Sequence, residues 1–217
     1  MSWRVVVPFK GAPGSKSRLA ARFDDATRHA LALAFLRDAV VAVRGTSAVA
    51  GVVIVSSEPG LTALFGPEPG LAPVELTPDP GTGLNPAIAH GVRVGRAAAP
   101  DDHVAALLGD LPELTSDELA AALDAAAKHP LASVADASGA GTTMITLAPA
   151  VDATPHFGGA SAAAHAAAGF ALLDLPVSSG LRRDVDAPDD VDRIASAGAN
   201  TRAVLEALHK TVARPGA

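Results

Sequence analysis

Three short, nearly uninterrupted apolar runs, Trp3 to Val7, Gly51 to Val55 and Val104 to Leu108, each stop at a segment bearing Pro or Gly. A strand with one wet face alternates apolar and polar residues, whereas a strand buried on both faces does not. These runs therefore predict strands of a parallel sheet with helices on both sides. The intervening segments supply the helices. Asp24 and Asp25 offer N-caps for a helix to about Val43 with Gly45 as its stop, Pro59 to Phe65 reads as a short helix, and Asn85 to Ala97 as a longer one. Val74 to Leu76 is a third short strand. Thr115 with Glu118 forms a capping box that opens a helix to about Lys128. Leu131 to Ala135 and Thr143 to Leu147 read as further strands, and Ala160 to Ala168 as a helix of small residues. Ala171 to Leu175 and a short strand running into Asp184 precede two C-terminal helices. The expectation is one α/β domain over residues 1–217, a mostly parallel sheet flanked by helices.

Composition removes several function classes. The chain has 217 residues and no cysteine, so disulfide frameworks, thiolate metal sites, iron–sulfur clusters and cysteine nucleophiles are excluded. The formal charge of -6, with the 17 Lys and Arg spread along the chain, argues against nucleic acid as a partner. The most apolar helical segment, Leu31 to Val43, carries Arg37 and Asp38, so no membrane span is expected. Met1 leads directly into the first strand without an export signal, and a cytoplasmic location is expected. Seven scattered histidines lack H-x-x-x-H or H-E-x-x-H spacing, which argues against zinc. The absence of G-x-S-x-G argues against a hydrolase triad.

In parallel α/β sheets ligands bind beyond the carboxyl ends of the strands, so the residues after each strand carry the functional information. The first strand is followed by Lys10, Gly11, Gly14, Lys16 and Arg18. That loop reads either as a triphosphate cradle or as a solvated basic loop, and its spacing does not satisfy G-x-x-x-x-G-K-[ST]. Lys16, taken as an exposed loop cation, is expected to add little to stability. Asp110 follows the strand ending at Leu108. It is placed either to hold a hard divalent cation or to accept turn N–H groups. Alternation puts Asp184 and Asp186 on one face of an extended segment, where both can point at one metal. Gly139 to Thr143 and Phe157 to Ser161 combine glycines with hydroxyls and suit an anion held by neutral groups. Ser161 serves equally well as an N-cap. Asn85, after the Gly81–Gly83 loop, suits a purine or ribose contact or another N-cap.

Taken in order, the motifs Val6-Val7-Pro8-Phe9-Lys10, Ser15-Lys16-Ser17-Arg18-Leu19, Leu84-Asn85-Pro86, Gly109-Asp110-Leu111-Pro112, Phe157-Gly158 with Ser161, and Asp184-Val185-Asp186 resemble the guanylyltransferases of coenzyme F-420 (deazaflavin) biosynthesis. The resemblance extends over nearly the whole chain. It implies a Rossmann-like nucleotidyltransferase fold and transfer of GMP from GTP to the phosphate of phosphoenolpyruvate or 2-phospho-L-lactate, with Mg²⁺ and release of pyrophosphate. Carried onto this sequence, it implies that Asp110, Asp184 and Asp186 hold the metal and that Thr142, Gly158 and Ser161 hold the phosphorylated acid. Lys10, Lys16, Arg18 and Asn85 would serve the nucleotide, and the three cations would neutralise charge during transfer. With 13 Arg against 4 Lys and abundant Ala, the composition is closer to that of bacterial members and favours phosphoenolpyruvate. The alternatives are a related nucleotidyltransferase acting on a pterin or sugar phosphate, whose usual L-A-G-G opening is missing here, and a non-catalytic nucleotide-binding subunit.

Overall fold

The computed structural model describes residues 1–11 and 16–212. Residues 12–15, the middle of the Gly-rich loop read as a triphosphate cradle, lie outside them. The chain order is β1 (Trp3–Pro8), a 3₁₀ turn (Ser17–Ala21), α1 (Asp25–Gly45), β2 (Val49–Val55), α2 (Leu61–Leu64), β3 (Val74–Thr77), α3 (Leu84–Ala98) and β4 (His103–Leu107). It continues with α4 (Ser116–Ala126), β5 (Leu131–Ala135), β6 (Thr142–Leu147), α5 (Ser161–Ala167), β7 (Ala171–Leu172), a 3₁₀ turn (Gly180–Arg182), α6 (Pro188–Asp192) and α7 (Ala199–Val212).

The strands form a single sheet in the order β3-β2-β1-β4-β6-β5-β7. β6 pairs antiparallel with both β4 and β5, and every other pairing is parallel. Both faces of the sheet are covered, which explains why the apolar runs do not alternate. Val5, Val7, Ile54 and Leu107 face α1 and α4, whereas Val6, Val53, Val55 and Ala106 face α3. Each fully buried valine of this kind contributes roughly 1.5–3 kcal/mol. Gly91 lets α3 lie close on the sheet, since a Cβ there would come within 2.3 Å of Val6 Cγ1 and 2.7 Å of Val55 Cγ2. A third apolar cluster joins Leu19, Leu31, Phe35, Val185 and Val191 at the end of the sheet where β1 and β4 terminate.

Two expectations are corrected. The segment before Asp184 is not a strand. It is the 3₁₀ turn Gly180–Arg182, pinned where Thr143 donates its hydroxyl to the Leu181 carbonyl at 2.6 Å and Glu118 accepts from the Gly180 N–H at 2.8 Å. The β7 strand is only Ala171–Leu172, shorter than the run to Leu175. Among the described residues no helix is long and apolar enough to cross a membrane.

Candidate active site

The reversed direction of β6 decides what meets at the functional edge. The carboxyl ends of β1, β4 and β5 deliver Lys10, Asp110 and Asp136. Because β6 runs against them, its first residue, Thr142, arrives at that same edge. A cleft of about 600 Å³ opens there.

Asp110 sits just beyond β4. The Val185 N–H donates to its carbonyl oxygen at 3.1 Å, and the Val185 side chain is buried against Leu19, Leu31 and Phe35. With Val185 turned inward, Asp184 and Asp186 on either side both line the cleft. One carboxylate oxygen each from Asp110, Asp184 and Asp186 lies within 4.8 Å of the others. Lys16 is inserted among them: its ammonium donates to Asp110 Oδ2, and to Asp186 Oδ1 at 2.9 Å. Arg18 Nη1 lies 3.9 Å from Asp186 Oδ2. Lys16 is not the exposed cation expected, since its side chain is only 10% exposed.

Charge crowding shows in the ionisation of these groups. Burial, then the neighbouring carboxylates of Asp110, Asp186 and Asp136, push Asp184 up to about 7, against a smaller opposing pull from Lys16. Burial also acts to raise Asp186, but Lys16 and Arg18 outweigh it and hold this carboxyl below the usual range. Burial alone would lower Lys16, yet Asp110 and Asp186 together hold its ammonium above the ordinary lysine value. The Oδ1 atom of Asp110 is buried without a hydrogen-bond partner. Three converging carboxylates, one of which has an orphaned oxygen, fit a divalent cation such as magnesium.

The same cleft is lined by Phe157 to Ser161, from the turn that begins at His156. Gly158 adopts φ 137°, a conformation that disfavours a side chain, and a Cβ on Gly158 or Gly159 would meet open space. Two side chains hold this turn. Asn85 accepts from the Phe157 N–H at 2.7 Å and donates to the Phe157 carbonyl at 2.9 Å, while His165 Nε2 accepts from the His156 N–H at 3.0 Å. His165 is fully buried, and its Nδ1 lies 3.0 Å from Thr142 Oγ1. Burial and the neighbouring His156 push His165 down to about 4.

The family model described as guanylyl transferase CofC like matches residues 3–210. The chain belongs to this family. It is 41% identical over 214 residues to the phosphoenolpyruvate guanylyltransferase of Streptomyces coelicolor, covering 98% of this chain and 99% of the relative. It is 43% identical over 208 residues to the enzyme of that name from Salinispora arenicola, covering 94% and 92%. The fold is shared with a Desulfovibrio desulfuricans G20 protein described as a nucleotide-diphospho-sugar transferase, at TM-score 0.70, 17% identity and 95% coverage of each chain. A nucleotidyl transferase from Methanothermobacter thermautotroptrophicus shares it too, at TM-score 0.59, 16% identity and coverage of 95% and 99%. The chain is a nucleotidyltransferase enzyme with the α/β fold of this family.

Within this guanylyl transferase fold, Lys10, Lys16, Arg18, Asp110, Thr142, Gly158, Ser161, Asp184 and Asp186 all line the cleft. Thr142 rather than Thr143 faces it, because Thr143 is committed to Leu181. Ser161 is the first residue of α5 and not its cap, a position held by Ala160 at φ 55°. Asn85 is not a cap either, since Gly83 precedes α3, and its amide is spent on the backbone of Phe157. In the Gly139–Thr143 loop two N–H groups are committed to Asp136, while Thr142 lines the cleft. Asp136 accepts from Gly141 N–H at 3.0 Å, Ala140 N–H at 3.2 Å and the Ser138 hydroxyl at 2.8 Å. Asp136 and His165 are the residues that sequence reasoning missed. Ser161 and His165, four apart on one helix, share a face, the one available signal for the histidine.

Proposed function

We propose that this chain transfers GMP from GTP to the phosphate of phosphoenolpyruvate, releasing pyrophosphate, as the reaction resembling that of coenzyme F-420 biosynthesis requires. The observation that carries this reading is the meeting, in one cleft, of a carboxylate triad with Lys16 and a turn bearing Gly158 and Ser161, with Thr142. The volume of about 600 Å³ falls within the range of small-molecule sites, roughly 300–1,000 Å³. The names of the relatives, phosphoenolpyruvate guanylyltransferase over nearly the full chain, support the nucleotide and the acceptor.

In the reaction, an oxygen of the acid's phosphate attacks the α-phosphorus of GTP, the bond from that phosphorus to the β-phosphate oxygen breaks, and pyrophosphate leaves. A phosphate ester with a second pKa of about 6 is already an anion at neutral pH, so the attacking oxygen needs no general base. His165, with its pKa held at about 4, is neutral there and is not required as one. Thr142, Gly158 and Ser161 orient the acid, and Lys10, Lys16 and Arg18 receive the triphosphate. Transfer then depends on in-line placement and on neutralising crowded charge. Asp110, Asp184 and Asp186 would hold Mg²⁺, which would supply Lewis-acid neutralisation of phosphate oxygens. Asn85 acts through the Phe157 backbone and not on the nucleotide.

The test is incubation with Mg²⁺, GTP labelled in the α-phosphate, and phosphoenolpyruvate or 2-phospho-L-lactate in separate arms. The reading expects α-label in an acid–nucleotide adduct and stoichiometric pyrophosphate, with phosphoenolpyruvate the better acceptor. Absence of acid-dependent pyrophosphate in both arms would overturn it.

A further inference from the structure

The buried histidine behind Thr142 has a hydrogen-bond direction that can be worked out from its neighbours. A backbone N–H can only donate, and that of His156 points at His165 Nε2 at 3.0 Å. Nε2 therefore presents its lone pair. A neutral imidazole with a bare Nε2 carries its proton on Nδ1, which lies 3.0 Å from Thr142 Oγ1. The ring is held against flipping by edge-on contacts with Phe157, at 5.2 Å and 74°, and Phe170, at 5.0 Å and 67°. Thr142 Oγ1 consequently faces an N–H and cannot donate to the ring; the Ser161 backbone carbonyl, one helical turn earlier, is a second acceptor for that N–H.

We propose that His165 is a positioning residue that fixes the polarity of the Thr142 hydroxyl, so that this hydroxyl donates its proton to an anionic oxygen of the phosphorylated acid in the cleft. With the opposite tautomer, Thr142 would donate to the ring and present only lone pairs to an anion, a repulsive contact. The same ring, through His156, holds the turn that carries Gly158 and Ser161, so one side chain sets both walls of the acid subsite. The inference rests on the reading that the acid lies against Thr142, and the experiment separates the two.

Asparagine places an amide N–H near the position of Nδ1, whereas glutamine reaches only the position of Nε2. In steady-state kinetics His165→Gln is expected to raise the KM for phosphoenolpyruvate about tenfold or more, leaving the KM for GTP within about twofold, the loss suited to one hydrogen bond to a charged group. His165→Asn, which keeps a donor for Thr142 but loses the acceptor for the His156 N–H, is expected to recover part of that loss. Thr142→Val alone should match His165→Gln, and the double variant should be no worse than Thr142→Val. Independent of any variant, the ring ¹⁵N spectrum of the wild-type protein should show Nδ1–H and a bare Nε2.

A spectrum with the proton on Nε2, a multiplicative loss in the double variant, or equal losses in kcat and both KM values for His165→Asn and His165→Gln would overturn the proposal. If Thr142→Val raises the KM for phosphoenolpyruvate while His165→Gln does not, only the proposal falls. If Thr142→Val leaves that KM unchanged, the reading of the acid subsite falls and takes the proposal with it.

Discussion

The backbone N–H of Val185 donates to the carbonyl oxygen of Asp110 at 3.1 Å, joining the segment beyond the 3₁₀ turn Gly180–Arg182 to the end of β4. This bond, with burial of the Val185 side chain, sets the phase of the extended segment. Asp184 and Asp186 therefore converge with Asp110 at the cleft. The cluster is assembled from sequence-distant parts without a strand under Asp184.

The ammonium of Lys16 is the counter-charge for this cluster in the metal-free protein. Lys16→Met keeps the apolar stem and removes the charge. It should lower the stability of the metal-free protein by about 1–3 kcal/mol, below the figure for a fully buried pair because Asp186 is half exposed. Magnesium should narrow the deficit, and the KM for GTP should rise. Urea unfolding in EDTA and in excess Mg²⁺ measures both; equal stability of variant and wild type in EDTA would refute the neutralising role.

A pH dependence follows from Asp184, whose carboxyl is raised to about 7 by burial and by its acidic neighbours. In the folded protein it keeps a proton that the unfolded chain has lost above about 4. Its contribution to stability is complete below that value and disappears as pH rises through about 7. Asp184→Asn cannot ionise, so without metal the variant should gain on the wild type progressively between about pH 4 and 7 and hold a constant advantage above. The comparison cancels His165, whose pKa of about 4 gives a slope of opposite sign from about pH 4 to about 6.5, most of that window. Paired melts from pH 4 to 8 in EDTA check this, and a gap independent of pH would contradict it.

Asn85 satisfies both the N–H and the carbonyl of Phe157. Asn85→Ala leaves both groups without that partner and should cost about 1–3 kcal/mol. Because the turn it holds bears Gly158 and Ser161, the KM for the acid should rise more than that for GTP. Asn85→Asp should not restore function, since its second oxygen would face the Phe157 carbonyl. A selective rise in the KM for GTP would instead return Asn85 to the nucleotide.

The sequence displays those parts of the fold and site that depend on local pattern. Val104 to Leu108 reads as a two-sided strand, observed as His103–Leu107, and the Asp24 and Thr115 caps stand where the residues announce them. The alternation of Asp184, Val185 and Asp186 correctly places both carboxylates on one side. What pattern does not carry is long-range pairing. Nothing within Thr142–Leu147 says that β6 runs against β4, although that reversal brings Thr142 to the functional edge. Asn85, in the first turn of α3, and Asp136, in the loop after β5, are residue types suited to ligand binding, yet their side chains are consumed by backbone groups of nearby turns. A single residue type does not reveal whether its partner is a ligand or the chain itself. His165 was hidden for the same reason: its partners come from a strand and a loop, not from residues at metal-binding spacing.

If Asp110 and Asp184 hold one cation between them, kcat across a magnesium titration for Asp110→Asn, Asp184→Asn and the double variant reads it out. The amide keeps the shape of the carboxylate while removing the charge that retains the ion. Each single variant should lose most turnover and require more magnesium, and the double variant should be scarcely worse than either, as for groups acting as a unit. Multiplicative losses in the double variant, or wild-type magnesium dependence in either single one, would contradict a shared metal site.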